Sequence, residues 1–111
     1  MSEGMREPTF LILTALVGGA LHGYGIILDA ERVSEGRVRL RPGTLYAALD
    51  RLRAEGLVEA ERDEVVDGRL RRYYRLTEEG AAALSVEAER QLRRARTAVR
   101  RLAASPYGSP A

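Results

Sequence analysis

Three stretches with a helical period of apolar residues open the chain, and two shorter stretches with a period of two follow them. Phe10, Leu11, Leu13, Thr14 and Leu16 give a first helix over 8–19 its broad apolar face. Pro8 suits its first turn, and Gly18-Gly19 with His22-Gly23 break it. A second helix over 24–33 turns Ile27, Leu28 and Ala30 inward and Glu31 and Arg32 outward, and Ser34-Glu35-Gly36 ends it. The link 37–41 alternates basic and apolar residues. A third helix starts at Pro42 and runs to Glu55, with Leu45, Leu49 and Leu52 on one face. Its opposite side carries Thr44, Ala47, Ala48, Arg51 and Glu55, and Gly56 suits the C-terminal cap.

The period then changes. Leu57–Arg62 and Leu70–Leu76 are predicted strands, joined through 63–69 with Asp67-Gly68 as the turn signal. Val65-Val66 fall near the tip of this connection, apolar residues for which the pattern supplies no partner. Alternation places Tyr74 with Leu76 on the core side and Tyr73 with Arg71 outside. Thr77 caps the last helix, with Glu78 and Glu79 in the first turn, where the helix dipole favours acids. Along that helix Leu84, Ala88, Leu92, Ala95, Val99 and Leu102 recur in steps of four and three, a narrow seam between charged faces. A long helix with one stripe needs a partner, and a second copy of the chain is the obvious one. Residues 105–111 are expected as a disordered tail.

This pattern predicts a mostly α fold with a small β-hairpin. A winged helix-turn-helix DNA-binding domain occupies 1–76, and a dimerisation helix occupies 77–104. Composition narrows the function. The 111 residues include no cysteine and one histidine, which excludes disulfides, thiolate zinc sites and cysteine nucleophiles. No nucleophile–base pair can form around a lone histidine, and Gly23-Tyr24-Gly25 is only a fragment of a dinucleotide fingerprint. No catalytic residue, metal or cofactor is therefore expected. The stretch from Phe10 to Leu21 is too short to span a bilayer, and Glu3 and Glu7 flank Arg6 where a leader would be basic. A cytoplasmic address is expected.

All 18 basic side chains are arginine, against 16 acids, for a net charge of +2. GC-rich coding explains the absence of lysine, so function must show in where the arginines sit. Guanidinium forks suit phosphates and guanine edges. Thr44 and Ala47 give the third helix the slim face a major groove admits, and its N-terminus aims N–H groups at phosphate. Arg69, Arg71, Arg72 and Arg75, with Tyr73 and Tyr74 among them, make a basic ribbon able to track backbone or minor groove. The candidate DNA contacts are Tyr24, Arg41, Gly43, Thr44, Tyr46, Ala47, Arg51, Arg69, Arg71, Arg72 and Tyr73. Several have competing roles. Tyr46 can pack on the wing, Thr44 can serve the helix start, Tyr24 can be buried, and Arg51 can reach a guanine or bridge to Glu55. His22 reads as a helix-ending residue. The arginines of the last helix read as a solvated face.

At these residues the chain resembles the PadR family of bacterial regulators. The resemblance is carried by His22-Gly23-Tyr24-Gly25-Ile26, Pro42-Gly43-Thr44-Leu45-Tyr46, Leu49 through Leu52 and Glu55-Gly56-Leu57-Val58. It continues through Gly68-Arg69, Arg72-Tyr73-Tyr74-Arg75-Leu76-Thr77 and Gly80. It implies a repressor that binds double-stranded DNA, a homodimer clasped by the last helix on a pseudo-palindromic operator. It also implies a small aromatic or lipophilic effector, as in some relatives. Two departures stand out. Arg41 occupies a place where the family often has serine, and the last helix lacks the tryptophan that stacks planar drugs in some relatives. A winged-helix module used only for protein–protein contact is the alternative reading.

Overall fold

The computed structural model describes residues 4–108. In chain order the elements are α1 (Glu7–Leu16), β1 (Leu21–His22), α2 (Gly23–Val33), α3 (Pro42–Ala54), β2 (Val58–Val66), β3 (Arg69–Leu76) and α4 (Glu78–Ala103). Four helices thus accompany one small antiparallel sheet of order β1-β3-β2. No helix among the described residues is long and apolar enough to cross a membrane.

The core forms where the first three helices meet the base of the hairpin. Ile12, Leu13, Leu16, Ile26, Leu45, Leu49, Leu52 and Val58 are its fully buried large side chains, joined by Tyr74 and Leu84. α1 is buried on most of its circumference, which explains its broad apolar face. It ends three residues before the expected limit, because the chain turns at Gly19 with φ at +140°. α3 ends as the sequence indicates. Gly56 adopts φ +79°, its N–H donates to the Arg53 carbonyl, and the Leu57 N–H reaches back to Leu52 at 2.9 Å. This double closure satisfies the last carbonyls of the helix.

The hairpin is longer and tighter than its pattern suggests. β2 extends to Val66, and only Asp67 and Gly68 turn the chain, at φ +52° and +76°. Both central residues lie in the left-handed region, the geometry that matches strand twist in a two-residue loop. A bulge between Ala60 and Arg62 inserts Glu61 without a partner. The two-residue strand β1 pairs Leu21 with Tyr74 and His22 with Tyr73. A two-residue strand has no period of its own, so the sequence offers no sign of it.

Gly80 sits against the Leu57 carbonyl, where a Cβ would collide with backbone. The Thr77 hydroxyl accepts the Gly80 N–H at 3.0 Å and donates to the Gly56 carbonyl at 2.6 Å. One side chain therefore ties the start of α4 to the end of α3. Of the expected tail, Ser105–Gly108 form a hydrogen-bonded turn, with the Ser105 hydroxyl donating to the Leu102 carbonyl at 2.8 Å. Residues 109–111 lie outside the described part.

Candidate nucleic-acid interface

α3 presents Gly43, Thr44 and Ala47 to solvent, with Arg41 exposed just before its first turn. Neither α2 nor α3 has a side-chain cap at its N-terminus, so the N–H groups of both first turns stay open on the side of Tyr24 and Thr44. Tyr24 is 63% exposed, which removes the buried alternative, and Tyr46 is 46% exposed. With Arg69 and Arg71 they line a cleft of about 560 Å³ between the start of α2, α3 and the wing. Two phenols and two guanidiniums, against the single carboxylate of Asp67, line this cleft beside open helix N-termini and form a surface suited to phosphate.

One expectation for α3 is corrected, and one open choice is decided. Ala48 is buried and belongs to the core with Leu45, Leu49 and Leu52. Arg51 is exposed, and of its two readings the structure shows the bridge to Glu55, with a second tie to α1. Its Nη2 donates to the Thr9 hydroxyl of α1 at 2.7 Å, and its Nε lies 4.0 Å from Glu55. Arg51 is tied to α1.

The wing arginines separate into paired and free groups. Arg72 meets Asp63 at 3.1 Å, Arg75 pairs with Glu59, and Arg62 spans Glu64 at 2.8 Å and Glu61 at 3.1 Å. Arg69 and Arg71 form no ion pair among the described residues. Register sets two of these pairs, since Asp63 stands opposite Arg72 and Glu59 opposite Arg75, whereas Glu64 stands opposite Arg71 but is held by Arg62. Through Thr77 the chain holds twelve arginines and twelve acids, so attraction for a polyanion depends on which arginines are free. Arg62 joined this cluster unanticipated, because the bulge at Glu61 alone turns it toward Tyr73.

Tyr73 shares the intermediate exposure of Arg71 and has partners of its own. Its ring lies 5.4 Å from His22, and the Arg62 guanidinium stacks on it at 4.2 Å. It braces the wing to β1 and is half-buried, while Tyr74 enters the core as alternation indicates. His22 stands just before α2 in the extended backbone of β1, with no capping hydrogen bond from its side chain, instead of ending a helix. Burial and, next, the charge of Arg71 lower its pKa below the ordinary histidine value.

On α4 the expected seam divides. Leu84 is buried in the core of its own chain, so it is removed from the interface set. Ala88 is half-buried, Ala95 is exposed, and Leu92, Val99 and Leu102 are 41%, 65% and 52% exposed.

The family model for the "Transcriptional regulator PadR-like family" matches residues 12–86, from the middle of α1 through the first turns of α4. The chain belongs to the PadR family. A transcriptional regulator of Mycobacterium tuberculosis is 51% identical over 86 residues, covering 77% of each chain. A PadR family transcription regulator from Clostridium difficile superposes with a TM-score of 0.67 at 28% identity, covering 87% of this chain and 98% of that one. Bacillus subtilis PadR in complex with operator DNA superposes with a TM-score of 0.63 at 25% identity, over 72% of this chain and 45% of that one. The protein is thus a PadR-family transcriptional regulator built on a winged helix, and not an enzyme.

Proposed function

We propose that this PadR protein is a repressor that binds a pseudo-palindromic operator as a homodimer. The observation that carries the reading is the convergence of Tyr24, Tyr46, Arg69 and Arg71 on one cleft beside the open N-termini of α2 and α3. A solved relative of the same fold is bound to operator DNA, which supports the same assignment. Thr44 and Ala47 face the major groove, Gly43 lets the backbone approach phosphate, and Arg41 adds a charge beside it. Arg72 and Tyr73 take a supporting role within the wing.

Homodimerisation through α4 is supported by its shape. The helix has 26 residues, about 39 Å of length, and its distal half exposes Leu92, Ala95, Val99 and Leu102. A small lipophilic effector belongs to the same reading. Met5, Phe10, Leu11 and Val33 line one part of a cleft of about 880 Å³ beside α4, and Arg6, Glu7, Glu87, Arg90, Gln91 and Arg94 give it a charged part able to orient such a molecule.

An electrophoretic shift on the DNA upstream of the protein's own gene, repeated over a range of salt, tests the reading. Specific retardation that weakens steeply with salt is expected. Weak, salt-insensitive binding would return the protein–protein module as the better account.

A further inference from the structure

The tip of the wing carries an apolar pair that the interface above leaves unused. Val65 and Leu70 face each other across the hairpin in register, and they are 73% and 65% exposed. Four residue pairs, from Asp63–Arg72 to Val66–Arg69, extend the ladder past the Tyr73 brace, a reach of about 13 Å. The Asp67-Gly68 turn holds the pair in place. Arg69 and Arg71 flank it, and Leu70 itself lines the cleft that holds Tyr24 and Tyr46. The wing's other acids, Glu59, Glu61, Asp63 and Glu64, are nearer its base and are neutralised by Arg75, Arg62 and Arg72. Asp67 alone remains at the tip.

We propose that Val65 and Leu70 enter the minor groove of the operator, lie against its sugars and base edges, and make the wing tip select A·T over G·C steps there. The inference rests on the DNA-binding reading and adds a sequence preference that the basic residues cannot supply. The minor groove is about 6 Å wide, so it admits side chains from a hairpin tip and not the ribbon broadside. Apolar side chains at such a tip press on deoxyribose and can open a base step. The guanine amino group projects into that groove, and contact with these methyl groups would strip its water and give no acceptor in return. Free arginines on the same tip favour the narrow groove of A·T tracts.

The test uses the full-length protein and the operator it selects from random sequence. The double exchange Val65→Thr, Leu70→Thr keeps strand propensity and touches no buried residue, so thermal unfolding is expected to match the wild type. Its operator affinity is expected to fall about tenfold, since two apolar contacts are lost. The salt slope should stay unchanged because no charge is removed. The wild type is expected to discriminate against G·C at the flanks, and inosine, which lacks the amino group, should restore its binding. The double variant should be indifferent to both changes. Failure of the wild type to select any operator overturns the DNA reading and this inference with it. An operator bound equally, with equal flank preference, by both proteins overturns the inference alone. A double variant that sediments at half the mass of the wild type also overturns it, making the pair a contact between copies.

Discussion

The backbone of Gly23 lies directly against the Tyr46 phenol. A Cβ built at that position would overlap the hydroxyl and stand 2.9 Å from Cζ. Glycine at the first residue of α2 therefore lets α3 close upon it and sets the angle at which Tyr46 faces the cleft. Gly23→Ala is expected to destabilise the fold by about 1–3 kcal/mol and to weaken operator binding by swinging the phenol. Tyr46→Phe removes the nearest atom, so the two losses should add to less than their sum in the double variant. Urea unfolding of the four proteins checks this, and strict additivity would show that Tyr46 is not the constraint.

Arg51 links α3 to α1 through Thr9. Its side chain is half exposed, so Arg51→Ala is expected to cost only about 1 kcal/mol of stability. Base preferences in a randomised-operator selection should remain those of the wild type. Loss of preference for one base per half-site would restore Arg51 as a reader of guanine.

The two adjacent wing arginines should behave differently. With roughly four phosphates contacted per subunit, log K is expected to fall against log salt with a slope near about −7. Arg71→Ala should flatten that slope by about two, one contact per subunit. Arg72→Ala should leave it nearly unchanged, because the Arg72 charge is already held by Asp63. Binding isotherms at four or five salt concentrations separate the variants, and equal flattening by both would mean that Asp63 releases Arg72 on DNA.

Val99 and Leu92 test the proposed α4 contact between copies. A glutamate in place of either would bury a charge in the seam, at a cost of several kcal/mol unless the dimer opens. Leu92→Glu and Val99→Glu are expected to sediment as folded monomers, since neither residue belongs to the core of a single chain. A wild type that is itself monomeric at micromolar concentration would remove the premise.

Glu87 gives the fold an acid-sensitive tie. It is 7% exposed on α4, accepts from Gln91 at 3.1 Å and from Arg90 at 2.5 Å, and also takes the Met5 N–H. The hydrogen bond from Gln91 foremost, then those from Arg90 and the Met5 N–H, lower its pKa below the ordinary 4.5. Arg6, Arg51, Glu55 and Arg90 are the other charged groups around the same cleft. A carboxylate with a lowered folded pKa stabilises fully above its unfolded value and loses that stability as pH falls through the folded one. Stability is expected to be level above about pH 5 and to decline below pH 4.5, and Glu87→Gln should make the decline shallower. Melting temperature against pH for both proteins checks the difference.

Local rules on the chain determined the helices, the stop of α3 and the turn of the hairpin. Leu45, Leu49 and Leu52 at helical spacing, Gly56 after α3 and Asp67-Gly68 in the turn each act through their neighbours along the backbone. The same locality made Thr44, Ala47 and Tyr74 legible, and the ordered motifs carried the family. Tertiary structure decided what depends on residues distant in sequence. Arg51 turns to Thr9, forty-two positions away, because the fold brings the first turn of α1 within reach of its guanidinium. Arg72 loses its freedom to Asp63 and Arg75 to Glu59 through strand register, which the bulge at Glu61 shifts by one residue. Leu84 leaves the seam because α4 starts on the core, tied by Thr77 to Gly56. Periodicity states that a residue has an apolar or charged side, while only packing states which surface that side meets.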